Sequence, residues 1–207
     1  MALCHAFHHK RIIPMSRQPA KLLAAADLRL ALAHVRSQRH AYRNHVLLLL
    51  SFKAGLRACE IAGLTWPMVL APDGSVGRHI HIGRAIAKYG SARQIPLHQG
   101  LRAALMVLHR VQERPLAGPV IRSERGTAMT AGSVVNWFGL LYRQLGLQGC
   151  SSHSGRRTFI THAARLLPKT GGSLRDVQEL AGHRAITTTE RYIEGDRQAQ
   201  HRLIRLL

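Results

Sequence analysis

Apolar residues recur with a helical period along the first quarter of the chain. Leu22, Leu23, Ala26, Leu30 and Ala33 fall on one face of a helix predicted over residues 20–37. The run Val46-Leu47-Leu48-Leu49-Leu50 is apolar on every side and predicts a buried second helix over residues 44–54, ended by Gly55. A short third helix is expected over residues 57–64, with Pro67 just beyond it. The period then changes from helical to alternating. His79-Ile80-His81-Ile82 alternates as a half-buried strand does, Tyr89-Gly90-Ser91 reads as a turn, and Arg93 to Leu97 reads as the returning strand. His79 and His81 share one strand face, which is expected to be solvated rather than metal-binding.

The remainder is mainly helical. Leu101, Leu105 and Leu108 mark a helix over residues 99–112. Thr130 is placed to cap a helix running to Leu145 and stopped by Gly146, with Val134, Val135, Phe138, Leu141 and Leu145 as its buried face. Residues 154–167 form another helix, expected to end at Pro168. Ser173 and Asp176 make a capping box for a helix to Ala181, with Gly182 just past its end, and Thr187 and Glu190 repeat that pattern before Tyr192. Residues 196–207 read as a last helix. The fold class is therefore mainly α with a small antiparallel β-sheet, α+β, in one domain over residues 20–207. Residues 1–19 are basic and His-rich, are broken by Pro14 and Pro19, and are expected to be a flexible arm. Cys4, His5, His8 and His9 lie in that arm, and their spacing fits no standard zinc pattern.

Charge narrows the choice of partner. Thirty Lys and Arg face ten Asp and Glu, a formal net charge of +20. Such an excess repels itself unless a polyanion is near, and a nucleic acid is the expected one. Twenty-five of the thirty are Arg, the side chain that suits bidentate phosphate contacts. A codon-composition bias explains that ratio equally well, but not the scarcity of acids. Three widely spaced cysteines (Cys4, Cys59 and Cys150) argue against a disulfide framework and fit a reducing compartment. No apolar run is long enough to span a bilayer, and residues 1–14 contain no signal-peptide core. These features together point to a cytoplasmic location.

Four short segments carry candidate chemistry. They are Gly55-Leu56-Arg57 with Glu60, Lys88 ahead of Pro96-Leu97, His153-Ser154-Gly155-Arg156, and Gly182-His183 followed nine positions later by Tyr192. Each alone reads as an ordinary surface pair, solvated lysine, cap or core tyrosine. In this order they resemble the catalytic domain of the tyrosine recombinases, also called phage integrases, over about residues 20–200.

That resemblance implies the following roles. Arg57 and Arg156 neutralise the non-bridging oxygens of a phosphodiester and stabilise its pentacoordinate transition state. Tyr192 is the nucleophile. Its phenol needs help to lose a proton, and His153 assists as acid or base. Lys88 protonates the leaving 5′ oxygen, His183 hydrogen-bonds a non-bridging oxygen, and Glu60 orients Arg57. The product is a 3′-phosphotyrosyl link that needs neither ATP nor divalent metal, so no cofactor is expected. Double-stranded DNA, a homo-oligomer (a tetrameric synapse) on it and a bacterial or phage source associated with the nucleoid are implied in the same way. A non-catalytic DNA-binding relic and a type IB topoisomerase-like enzyme are the alternatives.

Some residues depart from the common family pattern. Gly155 stands where many members have Leu, Arg157 where many have His, and Leu180-Ala181-Gly182 where Leu-Leu-Gly is common. Gly155 is expected to loosen the helix start that places Arg156. Family members also carry an N-terminal clamping domain, whereas about 19 residues precede the resembling segment here. The chain is thus expected to be a compact member, like the short fimbrial-switch recombinases, or a fragment. The apolar Leu203, Ile204, Leu206 and Leu207 are expected to lie on a helix given to a neighbouring protomer.

Overall fold

The computed structural model describes residues 20–87, 90–192 and 204–205. The arm over residues 1–19, Lys88, Tyr89 and nearly all of the expected last helix lie outside the described residues. Eight α-helices and one two-stranded sheet are present among those described: α1 (Ala25–Arg36), α2 (Ala41–Lys53), α3 (Ala58–Gly63), β1 (His79–Ile82), β2 (Arg93–Pro96), α4 (Gln99–Val111), α5 (Ala131–Gln144), α6 (Ser154–Thr170), α7 (Leu174–Ala181) and α8 (Ile186–Glu190). None of the described helices is long and apolar enough to cross a membrane.

Helix α2 is the axis of the fold because its apolar run leaves no face for water. Val46 to Phe52 are all buried, and α1, α4 and α6 pack around them, while α3 rests on α5. The sheet is antiparallel, with Ile80 opposite Ile95 and Ile82 opposite Arg93. Ile80, Ile82 and Ile95 face the core, and His79 and His81 lie on the other face. A second, smaller apolar cluster joins α6 to α7 through Ile160, Val177 and Ala181, with Phe159 and Tyr192 packed against it.

Several expectations are corrected. Helix α1 begins at Ala25, five residues late, because the preceding backbone is tied elsewhere: the Lys21 N–H donates to the Gly149 carbonyl and the Leu23 N–H to Thr158 Oγ1. The Ala24 N–H then donates to Asp27, which fixes the start. On α5, Val135 is 43% exposed and Tyr142 takes the buried position, since Val134, Phe138, Leu141 and Tyr142 keep the 3.6-residue stripe. Helix α6 runs through Pro168 to Thr170 and stops at Gly171, which adopts φ +65°. Proline in a final turn removes only one hydrogen bond, so the left-handed glycine sets the end. Thr187 caps nothing, because α8 starts at Ile186 with Ala185 as its N-cap.

Gly155 has the opposite role from the one expected. It is buried where α6 crosses α2, and a Cβ there would collide with Ser51 Oγ and with the Phe52 ring. Its missing side chain lets the start of α6 approach α2 closely and so fixes the position of Arg156. Gly155→Ala is expected to destabilise the fold by about 1–3 kcal/mol through overpacking. The loss should appear as a lower urea midpoint with an unchanged slope. A wild-type midpoint would contradict the close crossing.

Candidate active site

The site is assembled from the ends of helices. Helix α2 ends at Gly55, whose φ of +62° turns the chain so that Arg57 stands at the N-cap of α3. Glu60, one turn into α3, is fully buried. Its Oε2 accepts from the Arg57 N–H at 2.9 Å and its Oε1 from Arg57 Nη1 at 3.0 Å. The same carboxylate receives a fork from Arg93 on β2, with Nη1 to Oε1 and Nη2 to Oε2 both at 2.9 Å. Burial raises the Glu60 carboxyl, but the hydrogen bonds and charge of Arg93, then those of Arg57, bring it below its ordinary range. Glu60 is therefore ionised, and it balances two guanidiniums.

Helix α7 supplies the other half of the site. Its last residues present three successive carbonyls, and each accepts from a different arginine. The Leu180 carbonyl accepts from Arg93 Nε at 2.9 Å, that of Ala181 from Arg156 Nη2 at 2.6 Å, and that of Gly182 from Arg57 Nη2 at 3.4 Å. These carbonyls lack intrahelical donors and sit at the negative end of the helix dipole, so cations belong there. Arg156 also donates from Nη1 to the Gly55 carbonyl at 2.5 Å. Burial, and then repulsion from Arg57, push the Arg156 guanidinium down to about 10, which leaves it charged at neutral pH.

His183 follows Gly182, which adopts φ +62° and turns the chain back. Its Nε2 lies 2.9 Å from Arg156 Nη2 and its Nδ1 2.9 Å from Thr189 Oγ1 on α8. Burial, then the charges of Arg156, Arg57 and Arg93, push His183 down to about 4, so it is neutral at pH 7. The Tyr192 ring stacks on the imidazole, with centroids 5.6 Å apart and planes 22° apart. The Tyr192 backbone is held on both sides: its N–H donates to the Thr189 carbonyl at 3.0 Å, and its carbonyl accepts from Thr161 Oγ1 at 3.1 Å.

Arg57, Glu60, Arg156, His183 and Tyr192 are thus joined through one connected network. His153 is the exposed N-cap of α6, one helical turn before Arg156. Lys88 lies outside the described residues. Sequence reading missed two members, Arg93 and Thr189. Arg93 carried a usable signal: on β2 it shares the inward face with Ile95, and a buried cation on a strand requires a carboxylate partner.

With this geometry established, comparison with known proteins places the chain. It matches the phage integrase family over residues 18–199 and belongs to that family. It is similar to tyrosine recombinase XerC of Pseudomonas aeruginosa, 32% identical over 183 residues that cover 86% of this chain and 56% of that protein. XerC of Pelobacter propionicus is 27% identical over 203 residues, covering 89% and 63%. The Tn1549 transposon integrase, solved in complex with transposon right end DNA, shares the fold with a TM-score of 0.70 at 19% identity, covering 90% of this chain and 65% of that one. The chain therefore spans less than two thirds of the length of these relatives.

The network makes a stability prediction. Arg93→Met leaves the buried carboxylate to Arg57 alone and should cost roughly 3–5 kcal/mol at pH 7. The depressed Glu60 carboxyl stabilises the fold above its unfolded value, 4.5, and that contribution is lost as pH falls through the folded value. In Arg93→Met that depression is reduced or reversed, so the acid-dependent loss should shrink and the stability gap to the wild type should narrow as pH falls. Urea unfolding between pH 7 and 3 reads both effects, and wild-type curves would remove Arg93 from the network.

Proposed function

We propose that this chain is the catalytic part of a site-specific DNA recombinase, forming a 3′-phosphotyrosyl bond through Tyr192. The observation that carries the proposal is the Tyr192 ring stacked on His183, which is hydrogen-bonded to the buried Arg156. The nucleophile of a phosphoryl transfer thereby stands beside preorganised positive charge.

Arg57 and Arg156 bind the non-bridging oxygens, and Glu60 with Arg93 holds Arg57 in place. The Tyr192 oxygen attacks phosphorus as its proton passes to a base, a role assigned to His153. The bond from phosphorus to the 5′ oxygen breaks, and Lys88 gives that oxygen its proton. Attack by another strand's 5′ hydroxyl reverses the sequence and releases Tyr192. The partner is double-stranded DNA, held through phosphate contacts by a chain of net charge +20. Residues 20–207 act as the catalytic domain, residues 1–19 as a basic arm, and residues 196–207 as a helix donated to a neighbour in a tetrameric assembly on DNA. The bacterial relatives support a bacterial or phage setting, and a DNA substrate would make the nucleoid the site of action.

Covalent capture tests this reading. Nicked duplexes of randomised sequence are incubated with the chain, and detergent-resistant adducts are recovered and sequenced. Adducts are expected with the wild-type chain and not with Tyr192→Phe. Salt-dependent binding without any adduct would contradict the reading.

A further inference from the structure

Both ring nitrogens of His183 are engaged, and that arrangement fixes its proton. Arg156 Nη2 faces Nε2 at 2.9 Å, and a guanidinium has donors only. Nε2 is therefore the acceptor, and the ring's one proton is on Nδ1. From there it is donated to Thr189 Oγ1, 2.9 Å away. Thr189 is fully buried, so the hydroxyl is the partner the ring sees there rather than bulk water.

This resting tautomer is wrong for a phosphate. A non-bridging oxygen is an acceptor, and it would meet the Nε2 lone pair. For His183 to donate to it, the proton must stand on Nε2 while Arg156 turns its N–H to the same anion. Nδ1 then becomes an acceptor and needs a donor. A carboxylate or a backbone carbonyl at that position could only accept, and would lock the proton on Nδ1. A hydroxyl accepts in one rotamer and donates in another.

Resting on the recombinase reading above, we propose that Thr189 is a positioning residue that lets His183 exchange tautomers when a scissile phosphate enters. In the DNA-free site Thr189 accepts from Nδ1–H and His183 accepts from Arg156. In the occupied site Thr189 donates to Nδ1, and Nε2–H donates to the phosphate. The imidazole is neutral in both states: one proton reaches Nε2 from water on the phosphate side, one leaves Nδ1 by way of the Thr189 hydroxyl, which passes a proton on to water, and the threonine keeps one O–H hydrogen in each state. The Thr189 carbonyl also accepts from the Tyr192 N–H at 3.0 Å, so the residue that sets the tautomer also holds the nucleophile's backbone.

The test reads the tautomer directly, by two-bond proton–nitrogen correlation spectra of the histidine rings in the 15N-labelled chain. The DNA-free wild-type chain should show Nδ1–H at His183, and Tyr192→Phe bound to a captured duplex should show Nε2–H. Thr189→Val keeps the shape and removes the hydroxyl; it should lose the defined resting tautomer and cleave about 10–100-fold more slowly in a single turnover, with unchanged DNA affinity. Thr189→Ser should restore both, and Thr189→Ala serves if the Val variant does not fold. Nε2–H in the DNA-free wild type, Nδ1–H persisting on the duplex, or wild-type cleavage by Thr189→Val would overturn the proposal. A wild-type chain that forms no adduct would instead sink the recombinase reading while leaving the resting tautomer in place.

Discussion

The three carbonyls at the end of α7 hold the site together. Leu180, Ala181 and Gly182 each accept from a different guanidinium, those of Arg93, Arg156 and Arg57. Like charges gathered in a buried space repel, and a chain with so few acids has little to set against them. The dipole of α7 and the single carboxylate of Glu60 supply the compensation. Burial first, and this crowding second, hold the pKa values of Arg156 and His183 down, so His183 remains an uncharged imidazole beside three cations. What results is a cluster of preorganised positive charge, an arrangement suited to an anion.

The fold converges on that helix end. Helix α2 is buried from Val46 to Phe52 and sets the position of the Gly55 turn, which carries Arg57. Gly155 lets α6 lie tightly across α2, so Arg156 reaches both the Gly55 carbonyl and α7. The small sheet brings Arg93 to the same place from another direction, and a Cβ on Gly182 would strike its guanidinium. Ile160, Val177 and Ala181 then seat Tyr192 against His183. Packing and charge are coupled here, because Arg57, Arg156 and His183 are each positioned by a helix terminus whose backbone groups need partners in any case.

Much of this was legible in the sequence because the signals were periodic or positional. The alternation at residues 79–82 gave the strand, and Ser173, Asp176 and Gly182 bounded α7 correctly. The order of Arg57, His153-x-x-Arg156, His183 and Tyr192 pointed to the family. What escaped was tertiary. Nothing local says that Arg93 meets Glu60 across 33 positions of chain. Within Thr187-Thr188-Thr189, only the packed structure tells which hydroxyl turns inward, and it is the third rather than the first. Gly155 read as a source of looseness, since a glycine's packing role depends on a helix that lies a hundred residues away in sequence.

On the proposed recombinase reading, the tyrosine that takes the DNA is the most direct point to measure. The described tyrosines include Tyr42, exposed on α2, and Tyr142, buried in α5, but only Tyr192 stacks on His183. Mass spectrometry of the trypsin-digested covalent complex locates the attached nucleotide. The adduct is expected on the peptide spanning residues 192–197, between the cleavage sites at Arg191 and Arg197. A nucleotide on the peptides carrying Tyr42, Tyr89 or Tyr142 would contradict the assignment of Tyr192 and the phosphate site built around it.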